Sequence, residues 1–267
     1  MPFLHIDGAR LHYRTDGNSA NPCVVFSNSL GTDLSMWDAQ IEQFIDHFNL
    51  LRFDTRGHGL SAIPDAPFTV ADIGSDVIAL LNQLQISKAS FCGLSMGGML
   101  GQWLALNAAD RFCCFALSST AAKIGTAETW NQRIDTVMSK GMGAVVPSIL
   151  ERWYTATFRQ KSPKIVEQTA KMLLSTDPRA YALNCAAVRD LDLRTSVHKI
   201  RTPTLVVYGT EDPVTPVSDA EFLVGRIPDA SRLALRAAHL SNVEAADDFS
   251  RGVLDFLLHF QRTQTDD

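Results

Sequence analysis

Short apolar runs alternate with helical patterns along most of the 267-residue chain. The runs are rich in Val, Phe and Leu and have the length of buried β-strands. The predicted strands are residues 23–27, 50–53, 89–94, 112–117, 204–208 and 231–235. The predicted helices between and after them are residues 37–48, 69–84, 97–108, 217–226 and 242–260. Strands that alternate with helices in this way predict an α/β fold, with a mostly parallel sheet covered by helices on both faces.

The helix at residues 69–84 has the clearest pattern. Thr69 and Asp72 have the spacing of a capping box at its start. Its apolar residues recur at helical spacing and form one stripe, made of Val70, Ile73, Val77, Leu80, Leu81 and Leu84. We therefore predict an amphipathic helix here.

Residues 123–195 interrupt the alternation with a helical pattern that contains no convincing strand. We call this segment the cap, and we expect it to cover one edge of a core made of residues 1–122 and 196–267. The cap carries a net charge of +4 and the rest of the chain −9. A basic cap on an acidic core favours an anionic substrate. The alternative is a solvated helix surface whose charges arose by chance.

Composition excludes several classes of protein. The chain is 46% hydrophobic and 20% charged, which is ordinary for a globular domain. It has no apolar run long enough to span a membrane, and its first residues do not resemble a signal peptide. Its net charge of −5 gives no electrostatic footprint for nucleic acid. Five cysteines without metal-ligand spacing indicate buried reduced thiols. We expect a cytoplasmic protein without metal, cofactor, membrane or nucleic-acid partner, and the oligomeric state stays open.

The pentapeptide Gly93-Leu94-Ser95-Met96-Gly97 has the form G-x-S-x-G. It follows a predicted strand and opens a predicted helix, which is the setting of a nucleophile elbow. Such a turn is tight, and side chains two positions from the serine would clash. Gly93 and Gly97 remove those side chains. We therefore predict that Ser95 is a nucleophile; the alternative is a glycine-rich turn without catalytic function.

A nucleophilic serine needs a histidine base, and His239 is the best candidate among the seven histidines. It alone follows a late strand in a loop and precedes a helix, in the chain order Ser, acid, His. His58 also lies in a loop but precedes Ser95. The alternative for His239 is a loop histidine without partners.

The base needs an acid that orients it, and Asp212 follows the strand at 204–208 through a sharp Gly-x-x-Asp-Pro exit. Glu211 competes, but an adjacent side chain should point away. Asp190 and Asp192, at the end of the cap, are poorer candidates. For the oxyanion hole we predict the backbone N–H groups of Met96 and Leu30, the latter in the loop at 28–31.

These residues resemble those of the α/β-hydrolase superfamily, from about residue 3 to residue 260. Ser95, Asp212 and His239 match the triad of that family. Residues 54–61, Asp-Thr-Arg-Gly-His-Gly-Leu-Ser, match the loop after its strand four, which we interpret mainly as a structural turn tied down by Arg56. The resemblance implies the α/β-hydrolase fold with a helical cap insertion.

A narrower resemblance is to the 3-oxoadipate enol-lactonases. Residues 28–33, Asn-Ser-Leu-Gly-Thr-Asp, depart from the His-Gly pair usual in the superfamily and are similar to that group. Further similar segments are residues 93–99, residues 121–125, Trp130 with Arg133 and Ile134, and residues 150–155. The resemblance implies hydrolysis of a small anionic lactone to 3-oxoadipate, through an acyl-enzyme, in the β-ketoadipate pathway of aromatic-acid catabolism.

That substrate keeps one carboxylate, so a cation is expected near the site. Arg133 follows Trp130 by three residues and shares a helix face with it. We predict Arg133 as the carboxylate anchor, with Arg189 and Lys123 next, and Trp153 as an apolar wall. A surface salt bridge is the alternative for Arg133, and cap core for the two tryptophans.

Other functions stay open. Within the same fold the chain could be a carboxylesterase, a perhydrolase or a C–C bond hydrolase. A small-molecule receptor on a hydrolase scaffold would need a damaged triad, and none is visible.

Overall fold

The structure is a computed structural model that describes residues 2–6 and 9–265. In this part of the chain, eight strands form one sheet in the order β1-β2-β4-β3-β5-β6-β7-β8. They are β1 (Phe3–Ile6), β2 (Ala9–Asp16), β3 (Cys23–Ser27), β4 (Asn49–Phe53), β5 (Ala89–Leu94), β6 (Phe112–Ser118), β7 (Thr204–Gly209) and β8 (Ala230–Leu235). β1 and β2 pair antiparallel, and β2 is antiparallel to β4. All other neighbours are parallel.

Helices of the core flank the sheet. They are α1 (Asp38–Phe44), α2 (Val70–Gln83), α3 (Met96–Asn107), α9 (Val217–Arg226), α10 (Ser241–Glu244) and α11 (Ala246–Thr265). The capping box predicted for α2 is confirmed, because the Thr69 and Asp72 side chains each bond the other's backbone N–H.

Both faces of the sheet are buried. In β3, Val24 and Phe26 belong to one apolar cluster, together with Phe44 of α1 and Phe249 of α11. Their neighbour Val25 points to the opposite face and belongs to a second cluster, which contains residues of α2, α3 and α9. Alternation between two buried clusters is the pattern of a parallel sheet covered on both sides. The predicted fold class is confirmed.

The sequence missed three features. The two N-terminal strands were not predicted. The helix expected at 37–48 is shorter, with a 3₁₀ turn at Leu34–Trp37 followed by α1. The helix expected at 242–260 is broken at Ala245, whose φ of −121° and ψ of 49° leave the helical region.

None of the described helices is long and apolar enough to cross a membrane.

Five α-helices stand between β6 and β7, and the structure assigns no strand to residues 123–195, all of which it describes. They are α4 (Ala127–Lys140), α5 (Val146–Trp153), α6 (Ala156–Lys161), α7 (Pro163–Ser175) and α8 (Pro178–Asp190). The chain enters and leaves this segment at one place, because the Leu193 N–H donates to the Ala122 carbonyl at 2.8 Å.

The parallel strands fix where polar loops meet. The loops after β3, β5, β7 and β8 all leave the sheet at the carboxyl ends of the strands. In open α/β sheets, ligands bind at that edge. The predicted Leu30, Ser95, Asp212 and His239 lie in these four connections, one in each.

Candidate active site

Ser95 occupies a strained turn between β5 and α3. Its φ is +58° and its ψ is −111°, in a region that non-glycine residues rarely adopt. The backbone is crowded around it: a Cβ on Gly93 would lie 2.2 Å from the Gly97 carbonyl oxygen. A Cβ on Gly97 would lie 2.2 Å from the Ser27 carbonyl oxygen. The two glycines are therefore required sterically, for the reason that the sequence suggested.

Asp212 and His239 form a buried pair. His239 Nδ1 lies 2.8 Å from Asp212 Oδ2, and both residues are at most 5% exposed. The carboxylate also accepts hydrogen bonds from the Val214 N–H at 2.7 Å and from the Thr215 hydroxyl at 2.7 Å. Burial opposes ionisation of Asp212, but His239 and these donors outweigh it and lower its pKa. An ionised Asp212 requires the proton on Nδ1, which leaves Nε2 of neutral His239 as a base.

Ser95 and His239 border one cavity below the cap. It contains about 340 Å³ of empty space, part of it open to solvent. Its lining residues are Ser29, Leu30, Ser95, Met96, Ile124, Trp130, Arg133, Trp153, Tyr181, Val188, Val214 and His239. No hydrogen bond joins the Ser95 hydroxyl to His239 among the described residues. Catalytic contacts of this kind often tighten only when substrate binds.

Two backbone N–H groups beside Ser95 have no hydrogen-bond acceptor among the described residues. Met96 is the first residue of α3, so its N–H has no partner within the helix. The Leu30 N–H lies in the loop after β3 and also makes no bond within the described chain. Asn28 ties this loop to α3, since its carbonyl accepts from the Gly97 N–H at 3.1 Å. Two unused donors beside a serine hydroxyl are suited to receive negative charge that develops there.

The two cap tryptophans belong both to the apolar core and to the cavity wall. Trp130 is fixed by its indole N–H, which donates to the Ile124 carbonyl at 2.7 Å. The Arg133 guanidinium carbon lies 5.2 Å from the Trp130 ring centroid. The Trp153 ring lies 6.2 Å from the His239 ring. The structure therefore brings all eight predicted site residues to one cavity, either at its wall or, for Asp212, behind His239.

Arg189 and Lys123, the other candidates for the carboxylate anchor, have partners elsewhere. Arg189 pairs with Asp190 at 2.7 Å, and Lys123 donates to the Arg189 carbonyl at 2.5 Å. Neither residue lines the cavity. Arg56 does tie down its loop, as predicted, through two hydrogen bonds to Asp76 of α2 at 2.5 and 2.6 Å.

Sequence reasoning missed several lining residues. Tyr181 and Val188 project from α8, a helix that had no distinguishing motif. Burial raises the pKa of the Tyr181 hydroxyl well above its usual value, against an opposing effect of Arg133. Arg152 lies in the segment at 150–155 and directly precedes Trp153, but its sequence position alone predicts no role for it.

Comparison with known proteins places this geometry in a family. A sequence family described as "Serine aminopeptidase, S33" matches residues 18–238. The 3-oxoadipate enol-lactonase 2 of Acinetobacter baylyi is 43% identical over 259 residues, which cover 95% of this chain and 97% of the relative. The 3-oxoadipate enol-lactonase 1 of the same organism is 37% identical and covers 91% of each chain. The crystal structure of the enol-lactonase from Burkholderia xenovorans matches with a TM-score of 0.95 at 42% identity, over 96% of this chain and 100% of that one. The chain belongs to the α/β-hydrolase family and is related over nearly its whole length to 3-oxoadipate enol-lactonases.

Proposed function

We propose that the protein is a hydrolase that opens 3-oxoadipate enol-lactone with water to give 3-oxoadipate. The observation that carries this proposal is one cavity bordered by a serine, a histidine paired with a buried aspartate, and an arginine. The first three groups suit ester hydrolysis, and the arginine suits an anionic substrate. The relatives named above supply the identity of the lactone.

Acylation begins when His239 Nε2 takes the hydroxyl proton of Ser95. The serine oxygen then attacks the lactone carbonyl carbon, and the oxyanion that forms is received by the N–H groups of Leu30 and Met96. Each such donor is typically worth about 2.7–4 kcal/mol in the transition state. Collapse of this intermediate breaks the ring carbon–oxygen bond, and the proton on His239 passes to the departing enol oxygen. Asp212 stabilises the imidazolium meanwhile.

Deacylation repeats these steps with water. His239 removes a proton from water, the hydroxide adds to the acyl carbon, and the Ser95 oxygen leaves with the proton from His239. The released enol isomerises to the ketone, so the product is a keto acid with two carboxylates. No group beyond this chain's own residues and water is needed to balance the reaction.

Substrate choice is assigned to the cap, which we infer to be a separate insertion of residues 123–195 on the core. Trp130 and Trp153 provide apolar walls for the lactone ring. Arg133 is proposed to hold the carboxylate of the carboxymethyl substituent. A charge-assisted hydrogen bond of this kind is worth roughly 1.5–3 kcal/mol.

We also infer a cytoplasmic location. All five cysteines are buried. Burial raises the pKa of the Cys23 and Cys185 thiols to about 12, so these thiols stay protonated and unreactive. Buried, protonated thiols suit a reducing compartment.

The direct test is loss of enol-lactone absorbance with the purified protein. We expect turnover by the wild type and a fall on the order of 10⁶ in kcat for Ser95→Ala, whose small side chain should not disturb the fold. A chromogenic ester is the comparison substrate. Turnover of the ester without turnover of the lactone would contradict the proposed substrate and favour a carboxylesterase. Residual activity of Ser95→Ala within tenfold of the wild type would contradict a mechanism in which Ser95 is the nucleophile.

A further inference from the structure

A second cavity, which we call the outer cavity, adjoins the cavity bordered by Ser95 and His239, which we call the inner cavity. The outer cavity contains about 570 Å³ of empty space, part of it open to solvent. Its lining residues are Ile124, Gly125, Thr129, Trp130, Arg133, Arg152, Pro213 and Val214. Four of these, namely Ile124, Trp130, Arg133 and Val214, also line the inner cavity. The two spaces therefore share a wall, while Ser95 and His239 border the inner one alone.

Two arginines give the outer cavity its charge. Arg133 comes from α4 and Arg152 from α5, and both are half-buried. Within residues 2–6 and 9–265, no carboxylate lies within ion-pair distance of either guanidinium. The Arg152 Nε–H donates a hydrogen bond to the Ser148 carbonyl of the same helix, at 3.1 Å. Its two terminal amino groups make no hydrogen bond to the described residues.

Like charges held close together and away from water are unfavourable. Burial, together with the charge of Arg133, lowers the pKa of Arg152. Two other cap arginines avoid this situation, because Arg189 pairs with Asp190 and Arg194 with Asp192. Two half-buried guanidinium groups without such a partner are suited to an anion, which would relieve their repulsion and accept forked hydrogen bonds.

We propose that Arg152 and Arg133 together form a carboxylate-binding position in the outer cavity, which holds the carboxymethyl group of the substrate while the lactone ring occupies the inner cavity. This inference rests on the proposed function for its substrate and adds Arg152 and the outer cavity to it. The inner wall suits a ring, since Trp130, Trp153 and Val188 are among the apolar side chains that line it. The product keeps the same carboxylate, so the position also binds a dicarboxylate.

Adipate, a six-carbon dicarboxylate, is the probe. The measurement is its inhibition of p-nitrophenyl acetate hydrolysis by the wild type, by Arg152→Gln and by Arg152→Lys. We expect the inhibition constant to rise roughly tenfold or more in Arg152→Gln, relative to any change in the KM of the neutral ester. The inhibition constant for Arg152→Lys should lie between those of the wild type and Arg152→Gln, because lysine keeps the charge but lacks the paired N–H donors of the guanidinium.

The matched control is Lys164→Gln, which removes one exposed positive charge from α7 and touches neither cavity. Adipate inhibition of this variant should stay within about twofold of the wild type. An equal rise in both variants would reduce the effect to general cap charge and overturn the proposal. Unchanged inhibition of Arg152→Gln, or an equal change in adipate and ester binding, would overturn it as well.

Combination with Arg133→Met tests whether the two arginines share one carboxylate. If the two arginines share one carboxylate, the inhibition constant of adipate should rise less in the double variant than the product of its rises in the two single variants, because each substitution already weakens the same contact. Fully multiplicative losses would contradict a shared position. The proposed function is tested separately by enol-lactone turnover. If the wild type does not open the lactone but adipate behaves as expected, the site stands and the substrate assignment falls.

Discussion

His58 Nε2 accepts a hydrogen bond from the Gly31 N–H at 2.8 Å. A nitrogen that accepts from an N–H carries no proton, so the proton of His58 sits on Nδ1, which faces the Arg56 carbonyl at 3.3 Å. Gly31 directly follows Leu30, and its φ of +84° is one that glycine adopts readily. The loop at 54–61 therefore holds the backbone of the proposed oxyanion donor through a neutral, buried histidine.

This hydrogen bond predicts a specific dependence of stability on pH. Burial lowers the pKa of His58 from 6.5 to about 4 in the folded protein. Between these values the unfolded chain binds a proton that the folded protein excludes, so stability falls as the pH is lowered from 6.5 towards 4. The slope from this residue approaches about 1.4 kcal/mol per pH unit.

His58→Gln isolates that slope, because its side-chain oxygen can accept the Gly31 N–H but does not titrate. Urea unfolding of both proteins at several pH values gives the difference in unfolding free energy, in which the other titrating groups cancel. We expect the wild type to lose stability relative to His58→Gln between pH 6.5 and 4. A constant difference across this range would show that folding does not lower the pKa of His58.

Local patterns explain why so much of the fold was predictable. Strands such as β3 and helices such as α2 are specified by the spacing of their own apolar residues, and the proposed nucleophile, acid and base were assigned from the chain order of loops. The role of His58 could not be predicted, because it depends on a contact with Gly31, 27 residues away in the chain. The same holds for Arg152, whose significance appears only when the fold brings it to the same cavity wall as Arg133 of α4. β1, the edge strand, and its neighbour β2 have no decisive apolar alternation in their sequences.

Replacement of Asp212 tests the proposed triad. Asp212→Asn keeps the size of the side chain but stabilises the wrong tautomer of His239, and we expect kcat to fall by about 10⁴. In the wild type the lowered pKa of Asp212 keeps it ionised throughout the working range, so the pH profile of kcat/KM should contain no step from this carboxylate. Stopped assays across pH measure both effects. A step at the ordinary pKa of an aspartate would show that Asp212 titrates.

Glu244 joins the cap to the loop that carries His239. Its carboxylate accepts from the Ala238 N–H at 3.0 Å and from the Thr155 N–H at 3.2 Å, and it also accepts from the Thr155 hydroxyl. Between these points the Leu240 N–H donates to the Trp153 carbonyl at 3.1 Å. The end of α5 is thus fixed to both neighbours of His239.

Loss of this connection should displace His239, the proposed base, relative to the cap. We expect Glu244→Ala to lower kcat by about 10- to 100-fold, in line with small misplacements of catalytic groups. Glu244→Gln keeps an acceptor oxygen and should lose less. The exposed Glu221→Ala on α9 is the control for loss of a negative charge. Steady-state kinetics separate kcat from KM, and melting temperatures report the stability of each variant. Wild-type kcat in Glu244→Ala would show that the connection does not position His239.

The cavity predicts a selective effect for Arg133→Met. Methionine keeps much of the packing of the arginine stem on Trp130 but removes the charge. Loss of a charge-assisted hydrogen bond worth roughly 1.5–3 kcal/mol should lower kcat/KM on the enol-lactone about 10- to 150-fold more than on a small neutral ester. The measurement is the ratio of the two kcat/KM values in the wild type and the variant.

Equal losses on both substrates would indicate a packing defect around Trp130, which the Arg133 guanidinium contacts at 5.2 Å from the ring centroid. No loss on either substrate would transfer the role to Arg152, the other half-buried cation at this wall, because Arg189 and Lys123 are held away from both cavities.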